Sequence, residues 1–153
     1  MCIRDRFHHD GYWWLFYERN DEAVWLARSR DRRRWVNVQD HPVIDPGACG
    51  FDTGLIAMDQ VVERDGLFYA FLHAKQRGKA EARVWAAYVA VSDDLVNWYK
   101  YAGNPMSPAD GDYGSPVLVH DGQRFRMYTT DDAVHLHYLQ EPRAAAAESQ
   151  SRR

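Results

Sequence analysis

One turn-plus-strand unit recurs at nearly constant spacing along this chain of 153 residues. His9-Asp10-Gly11-Tyr12-Trp13-Trp14-Leu15-Phe16-Tyr17 returns as Arg64-Asp65-Gly66-Leu67-Phe68-Tyr69-Ala70-Phe71-Leu72. It returns again as His120-Asp121-Gly122-Gln123-Arg124-Phe125-Arg126-Met127-Tyr128. The Asp-Gly pairs begin at 10, 65 and 121, so the steps are 55 and 56 residues. Asp-Gly between extended runs signals a hairpin, because glycine accepts the positive φ that such turns demand.

A second repeated element lies between the hairpins. Ala27-Arg28-Ser29-Arg30-Asp31-Arg32-Arg33-Arg34-Trp35 matches Ala90-Val91-Ser92-Asp93-Asp94-Leu95-Val96-Asn97-Trp98 at an offset of 63. His41-Pro42 and Asn104-Pro105 follow at the same offset. Both copies read as strand, tight turn, strand, with Ser and Asp bonding the turn backbone. The Trp is expected to be largely buried in the gap between neighbouring sheets. A third, partial copy, Asp131 to Leu136, echoes Asp21 to Leu26. All-β repetition at this period points to propeller blades.

The fold class expected is therefore all-β, an incomplete β-propeller of the five-bladed type. About three blades of four-stranded antiparallel sheet are expected, at about 7–46, 55–108 and 113–138, one complete and two incomplete. The strands of the middle blade read as 57–64, 67–73, 84–92 and 97–102. Propellers close with about four to eight blades, so the chain reads as part of a larger protein. Residues 1–6 match none of the repeat and resemble a translated sequencing adapter. They read as a non-native segment, with the inner strand of the first blade missing. Residues 139–153 end in AAAAESQSRR and read as a disordered tail.

Charge and composition narrow the function classes. The net charge is −3 with no basic stripe, which gives no footprint for nucleic acid. No apolar run reaches the length of a membrane-spanning helix. Cys2 and Cys49 lack metal-ligand spacing, and no metal or other cofactor is implied. Arg30 to Arg34 holds four arginines in five residues and reads as a solvated outer loop. The compartment and the oligomeric state are not legible.

The Asp-Gly hairpin followed by Ala-x-Ser-x-Asp-x-x-x-Trp and Asn-Pro resembles the five-bladed β-propeller glycosidases. These are the family 43 and family 32 glycoside hydrolases and their relatives, including the mannoside phosphorylases. The resemblance covers about residues 7–138. It implies a carbohydrate substrate and hydrolysis of glycosidic bonds by carboxylates at the starts of inner strands. A glycoside phosphorylase, or a non-catalytic carbohydrate-binding propeller, are the alternatives on the same fold. Ile56-Ala57-Met58-Asp59-Gln60-Val61-Val62 resembles the family's Trp-Ala-Pro-Asp-Val inner strand. Asp59 falls on the Asp of that pattern and is the candidate catalytic-support carboxylate. One repeat step forward from Asp59 lands on Ser115, and one step back lands on Arg4.

Asp52, in a loop before the inner strand, His73, Tyr113 and Ser115 are the candidate substrate-binding residues. His73, Lys75 and Arg77 are the cations that a phosphorylase would need. The family's catalytic base and its acid have no match here. The chain by itself is expected to be inactive.

Overall fold

The computed structural model describes residues 2–47, 52–76, 84–108 and 111–138. Eleven strands fill them, and no helix occurs among the described residues. The first sheet holds β1 (Cys2–His9), β2 (Tyr12–Glu18), β3 (Val24–Ser29) and β4 (Val36–Asn37). The second holds β5 (Asp52–Arg64), β6 (Leu67–Gln76), β7 (Trp85–Ser92) and β8 (Tyr99–Lys100). The third holds β9 (Gly114–His120), β10 (Phe125–Thr130) and β11 (Val134–His137). Each is an antiparallel meander in chain order. The architecture is an incomplete β-propeller of three blades.

Two expectations about the inner strands change. Residues 2–9 form a strand paired along β2, so the first sheet has its inner strand and four strands in all. The inner strand of the second blade starts at Asp52, so Asp52 and Gly54 belong to a strand rather than to a loop. Residues 139–153, Cys49 and Arg77 lie outside the described residues.

The first two hairpins are the tight turns that the Asp-Gly pairs predict. Asp10 and Gly11 have φ of 49° and 72°, and Asp65 and Gly66 have 54° and 77°. Positive φ at both central residues matches the twist of the flanking strands. The third hairpin departs from the expected equivalence. Its loop runs from Asp121 to Arg124, closed by a bond from the Asp121 N–H to the Arg124 carbonyl. The Asp121 carboxylate accepts the N–H groups of Gln123 and Arg124, so this Asp caps the turn from its edge rather than occupying its centre.

The Ser-x-Asp-x-x-x-Trp turns share their backbone-capping bonds, and the second adds a bond from Asn97 Nδ2 to Asp94 Oδ2. Ser29 Oγ accepts the Arg32 N–H and Ser92 Oγ accepts the Leu95 N–H, each at 2.9 Å. Asp31 and Asp94 each accept two backbone N–H groups inside their own turns. Each Trp indole donates back to the carbonyl three residues earlier, at 3.2 Å for Trp35 and 2.7 Å for Trp98. Both Trp side chains are half-buried, not largely buried as expected. Trp98 reaches only the margin of the core between the first two blades, and Trp35 packs on neither core.

Packing is between blades. The larger core joins Trp14, Phe16, Val24 and Leu26 of the first blade to Ile56, Met58, Leu72, Tyr88 and Leu95 of the second. Trp98 packs on its margin, edge-on to Phe16 at 5.9 Å between centroids. The smaller core sets Phe71 and Ala87 of the second blade against Met127 and Leu118 of the third. Middle-blade strands are thus covered on both faces, which explains their nearly continuous apolar runs.

Candidate functional site

A bulge interrupts each inner strand at a corresponding place. In β1, Ile3 opposes Tyr17 and Asp5 opposes Phe16, so Arg4 is the extra residue. In β5, Met58 opposes Leu72 and Gln60 opposes Phe71, so Asp59 is extra. In β9, Gly114 opposes Thr130 and Val117 opposes Tyr128, leaving Ser115 and Pro116 across from Thr129. A bulge re-aims side chains and breaks strict alternation. Asp59 and the adjacent Gln60 consequently both serve the side of the sheet that meets the third blade.

Gln60 ties the blades together. Its side-chain amide donates to the Leu118 carbonyl at 3.0 Å and accepts the Leu118 N–H at 2.6 Å. Asp5 does the corresponding job one blade earlier, accepting the Val61 N–H at 2.6 Å. Burial raises the Asp5 carboxyl above its ordinary value, against the lowering effect of the Val61 and Arg6 N–H groups. Val61 and Leu118 therefore occupy one structural position, 57 residues apart. The structural partner of Asp59 in the third blade is then Pro116, not Ser115. The Asp-Gly step of 56 falls one short of this spacing because Asp121-Gly122 sits one residue earlier in its hairpin than Asp65-Gly66 does. Ser115 instead carries a φ of 47° at the bulge.

Asp59 itself meets His73. His73 shares a face of β6 with Phe71 and so points toward the third blade. Its Nδ1 lies 2.6 Å from Asp59 Oδ2, and the two side chains are 8% and 7% exposed. A carboxylate so deep in a sheet interface needs a donor, and the Nδ1–H of His73 supplies it. The imidazole is held on its other side by Trp85, edge-on at 4.9 Å between centroids.

The pair continues into the third blade through backbone. Trp85 donates its N–H to Asp112 Oδ1 at 2.7 Å and accepts the Tyr113 N–H at 2.9 Å. Asp112 is thus bonded to a neighbouring blade's backbone. The Tyr113 ring stands edge-on to His135 and His137, at 5.3 and 5.2 Å. His137 Nε2 lies 2.7 Å from the Thr129 hydroxyl, and His135 Nε2 lies 2.8 Å from Asp131. Burial, then the nearby His135, lowers the His137 pKa.

The sequence-predicted residues separate into two groups. Asp59 and His73 pair where the second blade meets the third, Tyr113 is tied to that region through its backbone bond to Trp85, and Ser115 lies on β9 just after it. Asp52 begins β5 opposite Gln76, and its side chain lies outside the described residues. Sequence reasoning missed Glu18, 1% exposed at the end of β2. Glu18 stands at the position of His73, one step of 55 residues away, just as Arg4 stands at that of Asp59. Applying the step to His73 as well as to Asp59 finds it.

Neither a family profile nor a curated protein sequence matches the chain. Solved structures do match it by shape. A thermostable family-43 glycoside hydrolase aligns over 83% of this chain and 41% of its own, with a TM-score of 0.67 at 13% identity. The family-32 β-fructofuranosidase of Bombyx mori aligns over 81% of this chain and 28% of its own, with a TM-score of 0.61 at 17% identity. The α-L-arabinanase of Cellvibrio cellulosa aligns over 82% of this chain and 44% of its own, with a TM-score of 0.57 at 19% identity. The class defined is the propeller fold of the family-43 and family-32 glycoside hydrolases. Within that class this chain supplies three blades and spans under half the length of each of these structures.

Proposed function

We propose that the chain is part of a glycoside hydrolase acting on the glycosidic bonds of a glycan, with Asp59 as a supporting carboxylate. The observation that carries this reading is the buried Asp59–His73 pair on a bulge of the inner strand. Bulges recur beside active sites because they aim one side chain out of register. Hydrolysis needs one carboxylate to attack or activate water and one acid to protonate the leaving oxygen. Asp59 is neither in this reading. In this reading the carboxylate, held by His73 at Oδ2, orients the acid or accepts a sugar hydroxyl. Tyr113, Ser115 and Asp52 are assigned to substrate binding. Carbohydrate binding draws support from a variant of the Bombyx mori enzyme that is in complex with sucrose.

The test is turnover in a longer chain that contains these blades. Asp59→Asn should lower turnover by roughly a hundredfold or more, with the thermal midpoint little changed. Unchanged turnover removes Asp59 from the site. The chain of 153 residues alone should release no nitrophenol from arabinosides, xylosides, galactosides or fructosides. Three blades leave the axial cavity open, and the acid and base are not placed within them.

A further inference from the structure

The arginine run of the first blade is organised rather than loosely solvated. Five arginines fall within the seven residues from Arg28 to Arg34, in a chain whose net charge is −3. Arg28 and Arg30 both lie over the Tyr12 ring, at 4.8 and 4.9 Å from its centroid. Arg30 also donates from Nη2 to the Tyr12 hydroxyl at 2.8 Å. Stacking and this bond fix the planes of two guanidinium groups that would otherwise sample many rotamers. With Arg34 and Val36 they border a surface pocket of about 300 Å³. The one acid in its lining, Asp31, is committed to its own turn. It accepts N–H groups from Arg34 and Arg33, which, with Ser29, hold its carboxyl below the ordinary value. Three cations against one occupied carboxylate leave a net positive pocket.

We infer that this pocket binds the carboxylates of an acidic, uronate-containing polysaccharide at a site apart from Asp59. The inference rests on the reading of the chain as part of a glycan-acting propeller. A preset guanidinium matches a carboxylate through two parallel N–H bonds. The positive charge is confined to one pocket rather than drawn out as a stripe, which suits a spaced row of carboxylates better than the dense phosphates of duplex DNA. Arg32 is stacked elsewhere, over the Trp13 ring at 5.0 Å, and does not line the pocket.

The experiment measures binding, not hydrolysis. The full chain of 153 residues is titrated with polygalacturonate, neutral arabinan and duplex DNA at 0.15 M salt. The expected result is saturable binding of polygalacturonate, at least tenfold tighter than either other ligand. The triple substitution Arg28→Ser, Arg30→Ser, Arg34→Ser should weaken it at least tenfold, and Arg124→Ser on the third blade should leave it unchanged. Tyr12→Phe keeps the ring but frees Arg30, and should weaken binding two- to fivefold. Absence of polygalacturonate binding overturns the inference. So does DNA binding of equal strength, or a triple variant that folds and binds as the parent does. A longer chain that hydrolyses glycans while the pocket ignores polygalacturonate overturns this inference alone. Loss of the hydrolase reading leaves the binding result standing.

Discussion

The turn from Ser29 to Trp35 and the turn from Ser92 to Trp98 share their backbone-capping bonds and have different surroundings. Both place a residue at positive φ, 62° for Arg32 and 70° for Leu95. In the second blade that residue is 1% exposed and closes the core between blades. In the first it is an exposed arginine. Val96 packs on the core, whereas Arg33 in its place is exposed. The segments after the turns diverge in the same way. Asn104 is buried and brackets Val89 with two side-chain bonds of 2.9 Å, while His41 remains exposed. The polar residues of the motif make the turn, and the neighbouring blade decides what the turn is worth.

The largest separation between the two turns should come from the residue at positive φ. Leu95→Ala should cost about 3 kcal/mol in urea denaturation, by loss of buried surface and a residual cavity. Arg32→Ala should fall within about 0.5 kcal/mol of the parent. Equal losses would show that the turns are energetically alike and that the interblade plug is not Leu95.

The tryptophans come next. Trp98 touches Phe16 and the core on one side only, so Trp98→Ala should cost about 2 kcal/mol, below the range for a fully buried aromatic. Trp35→Ala should cost under about 1 kcal/mol, since its indole bond to Arg32 is its chief described contact. A loss at Trp35 as large as that at Trp98 would mean that another surface covers the first blade.

A smaller effect should come from the bridges between inner strands. Gln60→Leu removes a donor and an acceptor from Leu118 and should cost about 1–3 kcal/mol if the Leu118 N–H stays buried. Under about 0.5 kcal/mol would show that water replaces the amide.

The smallest contrast is in acid. Burial raises the Asp94 carboxyl, but bonds from Asn97, Val96 and Ser92 outweigh it and lower the net pKa. The Asp31 carboxyl is lowered chiefly by the Arg34 and Arg33 N–H groups. A lowered folded pKa means stability that is complete above the unfolded value near 3.8 and lost as pH falls through the folded one. Asp5 has the opposite sign. Its raised pKa costs stability at neutral pH, and protonation relieves that cost as pH falls. Stability measured from pH 6 to pH 2 should fall less steeply in Asp94→Asn than in the parent. An unchanged slope would remove Asp94 from the acid response.

Sequence alone determined the local and repeated parts of this molecule. The Asp-Gly pairs at 10 and 65, the two Ser-x-Asp turns and the count of sheets follow from φ preferences and short-range hydrogen bonds. Asp59 was legible because Ile56 to Val62 resembles the family's inner-strand pattern and Asp59 falls on its Asp. Tertiary structure alone decided the register of the third blade, where Asp121-Gly122 sits one residue early in its turn and the equivalent of Asp59 is Pro116 rather than Ser115. It alone paired Asp59 with His73, 14 residues away on the next strand. It also decided that Leu95 plugs a core where Arg32 does not. Bulges, blade contacts and burial depend on which strands lie opposite one another, and no local run of residues encodes its own neighbours.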